Sequence, residues 1–185
     1  GDVEPCALGD LPRRVRGYFE RREDELAGAD FRPLCTYSSL SSKRSIGGQN
    51  YSRVLVSGDG RVIAGISYFL TPRWLFAPYV RQPCLRLTGR VTKGIVFESE
   101  LEDGAVLSTH QLPADPKLPP DFVSQRRPES EPARELAERH RRKLDELSRE
   151  RGSAAKRIAS AEEYFAFYRR AKTQLADFRR RAFER

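Results

Sequence analysis

Residues 51–70 read YSRVLVSGDGRVIAGISYFL, and this stretch decides the fold class. After the GDG at 58–60, apolar residues recur at every second position: Val62, Ala64, Ile66, Tyr68 and Leu70. Alternation with a period of two is typical of β-strands, and glycines supply the positive φ angles that a tight hairpin turn needs. The stretch therefore predicts a β-hairpin with strands at 51–57 and 61–70.

A second hairpin signal lies further along the chain. Residues 94–101 and 105–112 flank EDG at 102–104, a turn signal of the same kind. Between the two hairpins, residues 73–92 indicate one or two further strands, interrupted at Pro78 and Pro83. Together these segments predict an antiparallel meander of four to six strands.

An amphipathic helix is predicted ahead of the sheet, over residues 10–28. Asp10 is suited to the N-cap, Pro12 to the first turn and Gly28 to the end of the helix. The apolar residues of this segment fall largely on one helix face, which needs a covering surface. We therefore expect an α+β fold with the N-terminal helix packed on one face of the antiparallel sheet.

The C-terminal third has a different character. Six of the twelve prolines lie within residues 113–132, which predicts a Pro-rich linker or strap. Beyond it, a helix over 131–151 and a second helix starting at the capping box SAEE, residues 160–163, predict an antiparallel helical hairpin. The expected organisation is a sheet domain at 1–112, the strap at 113–132 and a basic helical hairpin at 133–185.

Positive charge is concentrated in this C-terminal part. Residues 126–185 hold 18 Lys and Arg against 11 Asp and Glu, whereas residues 1–125 hold 16 against 15. Such asymmetry speaks to binding partners rather than to fold. The cations that we expect to bind a partner are Arg139, Arg142, Lys143, Arg169, Arg170, Lys172, Arg179 and Arg180.

The charge pattern predicts a non-catalytic interaction or assembly module, the soluble part of a larger or membrane-associated protein. Its basic helices would contact an acidic protein surface, anionic lipid or a second copy of the chain. The alternative is nucleic-acid binding by the same helices, with affinity that falls steeply with salt. The remaining explanation is a solvated surface whose cations form i,i+4 pairs with neighbouring acids.

Two aromatic stretches are candidates for an interface. One includes Trp74 and Phe76, and the other is YFAFY at 164–168, which contains Phe167. Five consecutive helical residues cannot all face the same way, so either the core of the chain or a partner must cover part of this block. Burial as core is the competing explanation for both stretches.

A small-ligand binder or an enzyme is the third possibility, with a site on the sheet face near His110. Glu98, Glu100 and Glu102 alternate along the neighbouring strand and could supply acid–base chemistry. His110 paired with Cys35 or Cys84 would require a geometry that sequence does not show. His140, among arginines, is expected to be exposed.

The sequence indicates no metal site and no cofactor. Two histidines and three cysteines without a CxxC pair give no zinc spacing. No run approaches the length of a transmembrane helix, and an odd cysteine count favours a reducing compartment. We expect the cytoplasm or the cytoplasmic face of a membrane. The chain begins with Gly1 and has no Met, which indicates an excised fragment of a longer protein.

Overall fold

The computed structural model describes residues 3–40, 49–70, 91–112 and 118–183, and it is an α+β structure. Its elements, in chain order, are β1 (Val3–Pro5), α1 (Arg13–Ala27), β2 (Phe31–Leu40), β3 (Gln49–Ser57), β4 (Ile63–Leu70), β5 (Val91–Glu100), β6 (Val106–His110), β7 (Phe122–Arg126), α2 (Ala133–Arg151) and α3 (Ala161–Phe183). A short 3-10 turn, Leu8–Asp10, precedes α1.

One mixed sheet holds the seven strands in the order in which they occur in the chain. Neighbouring strands are antiparallel from β1 to β6, and β7 runs parallel to β6. Both predicted hairpins are confirmed as β3–β4 and β5–β6. Gly60 and Gly104 supply the positive φ angles of the two turns, at 75° and 88°.

The number of strands exceeds the predicted four to six. Two edge strands account for the difference among the described residues: β1, which is only three residues long, and β7, which lies inside the predicted strap. Residues 122–126 contain no proline, so every residue of β7 can join the ladder, while prolines flank the strand at 120 and 128. Of the segment 73–92, only the beginning of β5 is described; Trp74, Phe76 and the strands predicted there lie outside the described residues.

Helix α1 begins three residues later than predicted. Pro12 occupies the N-cap position and no side chain caps the helix, so Asp10 is not the N-cap. The 3-10 turn at Leu8–Asp10 takes up the residues in between. The end of the helix at Gly28 agrees with the prediction.

The sheet is covered on both faces, which makes a three-layer structure. Ala64 and Ile66 of β4 point into a core shared with α1 and α2. The alternate residue Ile63 points into a second core with Tyr164 and Phe167 of α3. Since successive side chains of a strand lie on opposite faces, α1 and α2 cover one face, and α3 covers the other, here called the α3 face.

The predicted helical hairpin is therefore wrong, although both helices exist. Gly152 ends α2 with a positive φ of 60°, and residues 152–160 then pass the end of the sheet where the two hairpin turns lie. Backbone hydrogen bonds fix this crossing: Glu102 N donates to Ala154 O (2.9 Å), and Ile158 N donates to Gly60 O (2.8 Å). Each helix buries its apolar stripe on the sheet, not on the other helix.

Both C-terminal helices thus share cores with the sheet. The boundaries 1–112, 113–132 and 133–185 stay a prediction about chain organisation. Within the described ranges, no helix combines the length and the apolar composition that crossing a bilayer requires.

Candidate functional site

A cavity of about 380 Å³ lies on the α3 face, and we call it the α3 cavity. Its floor is formed by β5, β6 and β7, and its walls include Leu112, Leu118 and, on α3, Leu175. Most of the lining is apolar, and the apolar residues include Val96, Val106, Leu112, Leu118, Phe122 and Leu175. Four polar side chains also line it: Glu98, Ser108, His110 and Ser124.

The strand register explains why these polar groups converge. Glu98 on β5 is opposite Ser108 on β6, and Ser108 is opposite Ser124 on β7. The three residues form one row across three strands, with Cα atoms of neighbouring strands about 4.8 Å apart. His110, two residues after Ser108, points to the same face and lies in the next row.

Glu98 is the unusual group of this cavity. Among the residues that the structure describes, no side chain donates a hydrogen bond to its carboxylate and no cation pairs with it. Burial raises the pKa of Glu98 to about 7. Glu98 is half-buried, and a carboxyl group that is partly removed from water and has no cation beside it is costlier to ionise, so at pH 6 it is mostly protonated and can donate a hydrogen bond.

His110 and Ser124 form a hydrogen-bonded pair. His110 Nδ1 lies 2.8 Å from the carbonyl oxygen of Leu112, which can only accept, so Nδ1 carries the hydrogen. In neutral His110 the other nitrogen, Nε2, is then an acceptor. Ser124 Oγ lies 2.9 Å from Nε2 and donates its proton to it. A backbone carbonyl thus orients the imidazole, and the imidazole faces a serine hydroxyl.

Glu100, two residues after Glu98, is ion-paired and has a structural role instead. Lys156 Nζ and Arg170 donate to its two carboxylate oxygens, at 2.8 Å and 2.6 Å. Burial alone would raise the pKa of Glu100, but the hydrogen bonds from Arg170 and Lys156 outweigh it and hold the pKa below its usual value. This cluster, the Glu100 clamp, fastens α3 and the crossing segment to β5. Arg170 therefore pairs with a carboxylate of its own chain and is not free to contact a partner molecule.

The other predicted cations do not lie on one surface. Arg139, Arg142 and Lys143 are on α2, whereas Arg169, Lys172, Arg179 and Arg180 are on α3, across the sheet. Several are already paired: Arg139 with Glu131 (3.1 Å), Lys143 with Glu146 (3.0 Å) and Arg180 with Asp177 (2.7 Å).

The other four predicted cations differ in exposure and in their neighbours. Arg142 and Arg169 are exposed, and Arg179 is half-buried. Lys172 lies over the ring of Tyr168, 5.7 Å from its centroid. Ionic pairing inside the chain thus accounts for part of the charge pattern.

The aromatic block of α3 is divided between core and surface. Phe167 is 1% exposed, so it packs in the core rather than at an interface. Tyr164 is also buried, and its hydroxyl lies 3.1 Å from that of Tyr37 on β2. Phe165 and Tyr168 are half-buried against the same core.

His140 is fully buried, which corrects the expectation that it is exposed. Ser99 donates its hydroxyl proton to the carbonyl oxygen of Arg61 (2.7 Å), so Ser99 Oγ accepts from His140 Nε2 (3.0 Å). Nδ1 then accepts from the Thr109 hydroxyl (3.0 Å). Burial, and secondarily the charge of Arg141, lower the pKa of His140 to about 3, so this histidine is a neutral core residue.

The described residues bear on metal chemistry and on thiol chemistry. The described ranges contain no cluster of three His, Cys, Asp or Glu side chains that could hold a metal ion. Burial raises the pKa of the Cys35 thiol to about 11, so it is not a thiolate at neutral pH. Cys84 lies outside the described residues.

Sequence reasoning identified Glu98 and His110 but missed Ser124. That residue lies in the stretch assigned to a linker, and its neighbour in space depends on the parallel pairing of β7 with β6. The only available signal was the short VSQ pattern between prolines, which is too brief to assign a strand.

Comparison with known proteins finds no family model, no curated protein and no solved structure that matches the chain.

Proposed function

We propose that this chain is a small-molecule-binding domain whose site is the α3 cavity. The observation that carries the proposal is Glu98, a carboxyl group without a partner among the described side chains, inside an otherwise largely apolar cavity. Apolar cavities with a few convergent polar groups are the usual form of ligand sites in proteins.

The chemistry of the lining selects the ligand. The walls favour an apolar body, and the polar groups, at pH 6, are mainly donors: the carboxylic acid of Glu98 and the hydroxyl of Ser108. Such a site fits an apolar molecule with a carbonyl oxygen that accepts a hydrogen bond. The volume of about 380 Å³ admits a molecule of one or two rings.

A matched pair of probes tests this proposal. 2-Acetylnaphthalene has a carbonyl oxygen and 2-ethylnaphthalene has the same shape without it. At pH 6 we expect the ketone to bind more tightly, and amide resonances of residues 98, 108, 124 and 175 to shift on titration. In the Glu98→Leu variant the preference for the ketone should fall by about tenfold, the worth of one hydrogen bond.

The control is Glu102→Leu, which alters an exposed carboxylate in the nearby turn and should leave the preference unchanged. Equal affinity for ketone and hydrocarbon in the unaltered chain, or resonance shifts confined to another surface, would refute the proposal.

The interaction-module and nucleic-acid predictions remain open as predictions. The exposed side chains of Arg142 and Arg169 support them, and the pairing of Arg139, Lys143, Arg170 and Arg180 with carboxylates argues against a large role for charge.

A further inference from the structure

Resting on the proposed function, we infer that the α3 cavity hydrolyses esters, with Ser124 as the nucleophile and His110 as its general base. The substrate class is a small apolar carboxylic ester. The inference deepens the ligand class given above, since an ester carries the same carbonyl acceptor as the ketone.

The first ground is that Ser124 and His110 have the geometry of a nucleophile and its general base. A serine hydroxyl is a weak nucleophile unless an adjacent base takes its proton, and this requires a hydrogen bond of about 2.6–3.2 Å. Ser124 Oγ lies 2.9 Å from His110 Nε2. The base is itself oriented, because Nδ1–H donates to the carbonyl of Leu112 at 2.8 Å. Nucleophile, base and orienting group therefore stand in the order that acyl transfer uses.

The second ground is the position of Glu98. It lies in the same row as Ser124, with Ser108 between them, so their Cα atoms are about 10 Å apart. An acyl group placed over Ser108 would have its carbonyl carbon near Ser124 Oγ and its carbonyl oxygen toward Glu98. A neutral carboxylic acid in an apolar site can donate a hydrogen bond to the oxyanion that develops there.

The third ground is the space around the site. The α3 cavity adjoins a larger hollow of about 670 Å³, which also touches Phe122 and lies against Gln174 of α3. The acyl group would occupy the α3 cavity and the alcohol part could extend into this hollow. The apolar lining of the α3 cavity favours a hydrocarbon or aryl acyl group, whereas the hollow, lined in part by Asp121, Asp177 and Arg181, also admits a polar alcohol part.

The reaction balances with water as the only co-reactant. Ser124 Oγ bonds to the acyl carbon as its proton passes to His110 Nε2. The ester C–O bond then breaks, and the alcohol leaves with that proton. A water molecule next gives a proton to Nε2 and attacks the acyl carbon. The bond to Ser124 Oγ breaks, the carboxylic acid leaves, and Oγ recovers the proton from Nε2.

A fluorophosphonate with an alkyl chain is the direct test, because it bonds covalently to an activated serine. We expect one adduct per chain by intact mass, located by peptide mass spectrometry on Ser124. Ser124→Ala should abolish the adduct. Ser130→Ala is the control: it removes an exposed serine hydroxyl outside the cavity, and labelling should persist.

Turnover of p-nitrophenyl butyrate provides the second readout. We expect kcat/KM to fall by about 100-fold or more in Ser124→Ala and in His110→Gln, the usual contribution of a general base. Ser130→Ala, outside the cavity, should change it by less than about threefold. Circular dichroism spectra that match the unaltered chain would show that each variant folds.

The outcomes separate this inference from the proposed function. Absence of labelling and of turnover, with 2-acetylnaphthalene still bound in the cavity, would overturn the esterase inference and leave the binding function standing. Labelling at a residue other than Ser124 would also overturn it. If the unaltered chain did not bind 2-acetylnaphthalene, the binding function on which the inference rests would be refuted.

Discussion

Single residues in this chain are best understood through the partners they have or lack. Glu98 and Glu100 are two positions apart on one strand and point to the same face, yet one lacks a partner among the described residues and the other binds two cations. The difference follows from what lies above each of them: α3 and the crossing segment bring Arg170 and Lys156 to Glu100. The same strand thus carries a structural carboxylate and a candidate functional one.

Glu98 gives a pH-dependent prediction. Its pKa is about 7 in the folded chain and 4.5 for the free group, so between these values the folded chain binds more protons here than the unfolded chain. The contribution of Glu98 to stability therefore falls as pH rises through this window, by up to about 3 kcal/mol. Relative to the unaltered chain, Glu98→Gln should gain this amount between pH 4.5 and pH 8.

Urea unfolding of both chains at the two pH values measures this difference. Tyr37, Tyr164 and the buried His140 are present in both chains, so their own titrations largely cancel. Glu102→Gln, in the exposed turn, should show no such gain. A constant difference between Glu98→Gln and the unaltered chain across pH would contradict the prediction.

At the scale of elements, the Glu100 clamp connects β5, the crossing segment and α3. Removing both cations in Lys156→Ala/Arg170→Ala leaves a carboxylate that is 8% exposed without these partners, which we expect to cost about 3 kcal/mol. Glu100→Gln should cost less, about 1 kcal/mol, because Lys156 and Arg170 are partly exposed and can turn to water.

Chemical denaturation of the two variants measures this order. The exposed pair Arg134–Glu138 on α2 offers a control, since Arg134→Ala should change stability by less than about 1 kcal/mol. If Glu100→Gln proved more destabilising than the double variant, the clamp would not owe its effect to the buried carboxylate.

The elements also show what sequence reasoning can reach. Alternation after 58–60 and the turn signals at 58–60 and 102–104 predicted both hairpins, because period-two patterning and turn glycines are local signals. The capping box predicted the start of α3, and Ser160 and Glu163 do bond each other's backbone N–H groups. Elements that depend on signals within a few residues of the sequence were therefore predicted correctly.

The failures concern partners that lie far away in the chain. The apolar stripes of α2 and α3 show that each helix needs a cover, but not whether the other helix or the sheet provides it. The prediction that His140 is exposed failed for the same reason, because its two hydrogen-bond partners, Ser99 and Thr109, lie far from it in the chain. Of the candidate site, Glu98 and His110 were identified from residue type, whereas Ser124 depends on the pairing of β7 with β6.

At the scale of the molecule, the two C-terminal helices complete the layers of the fold. Helix α2 buries Leu136 and Leu144 fully, and Leu147 almost so, against the sheet and α1. Burial of each leucine contributes about 1.5–3 kcal/mol, so the three together approach the total stability of a typical domain, about 5–15 kcal/mol. The basic C-terminal segment is thus part of the folded core rather than an appended arm.

A series of truncations tests this architecture. A chain of residues 1–132 lacks α2 and α3 and should show no cooperative unfolding transition by circular dichroism. A chain of residues 1–160 retains the core between α1, α2 and the sheet, but it loses Tyr164, Phe167 and the α3 side of the cavity. We expect it to unfold cooperatively at lower urea concentration and to lose the preference for 2-acetylnaphthalene, since Leu175 no longer lines the cavity. A cooperative transition for 1–132 with a midpoint close to that of the full chain would show that the sheet and α1 fold by themselves, and that the C-terminal helices are an appendage after all.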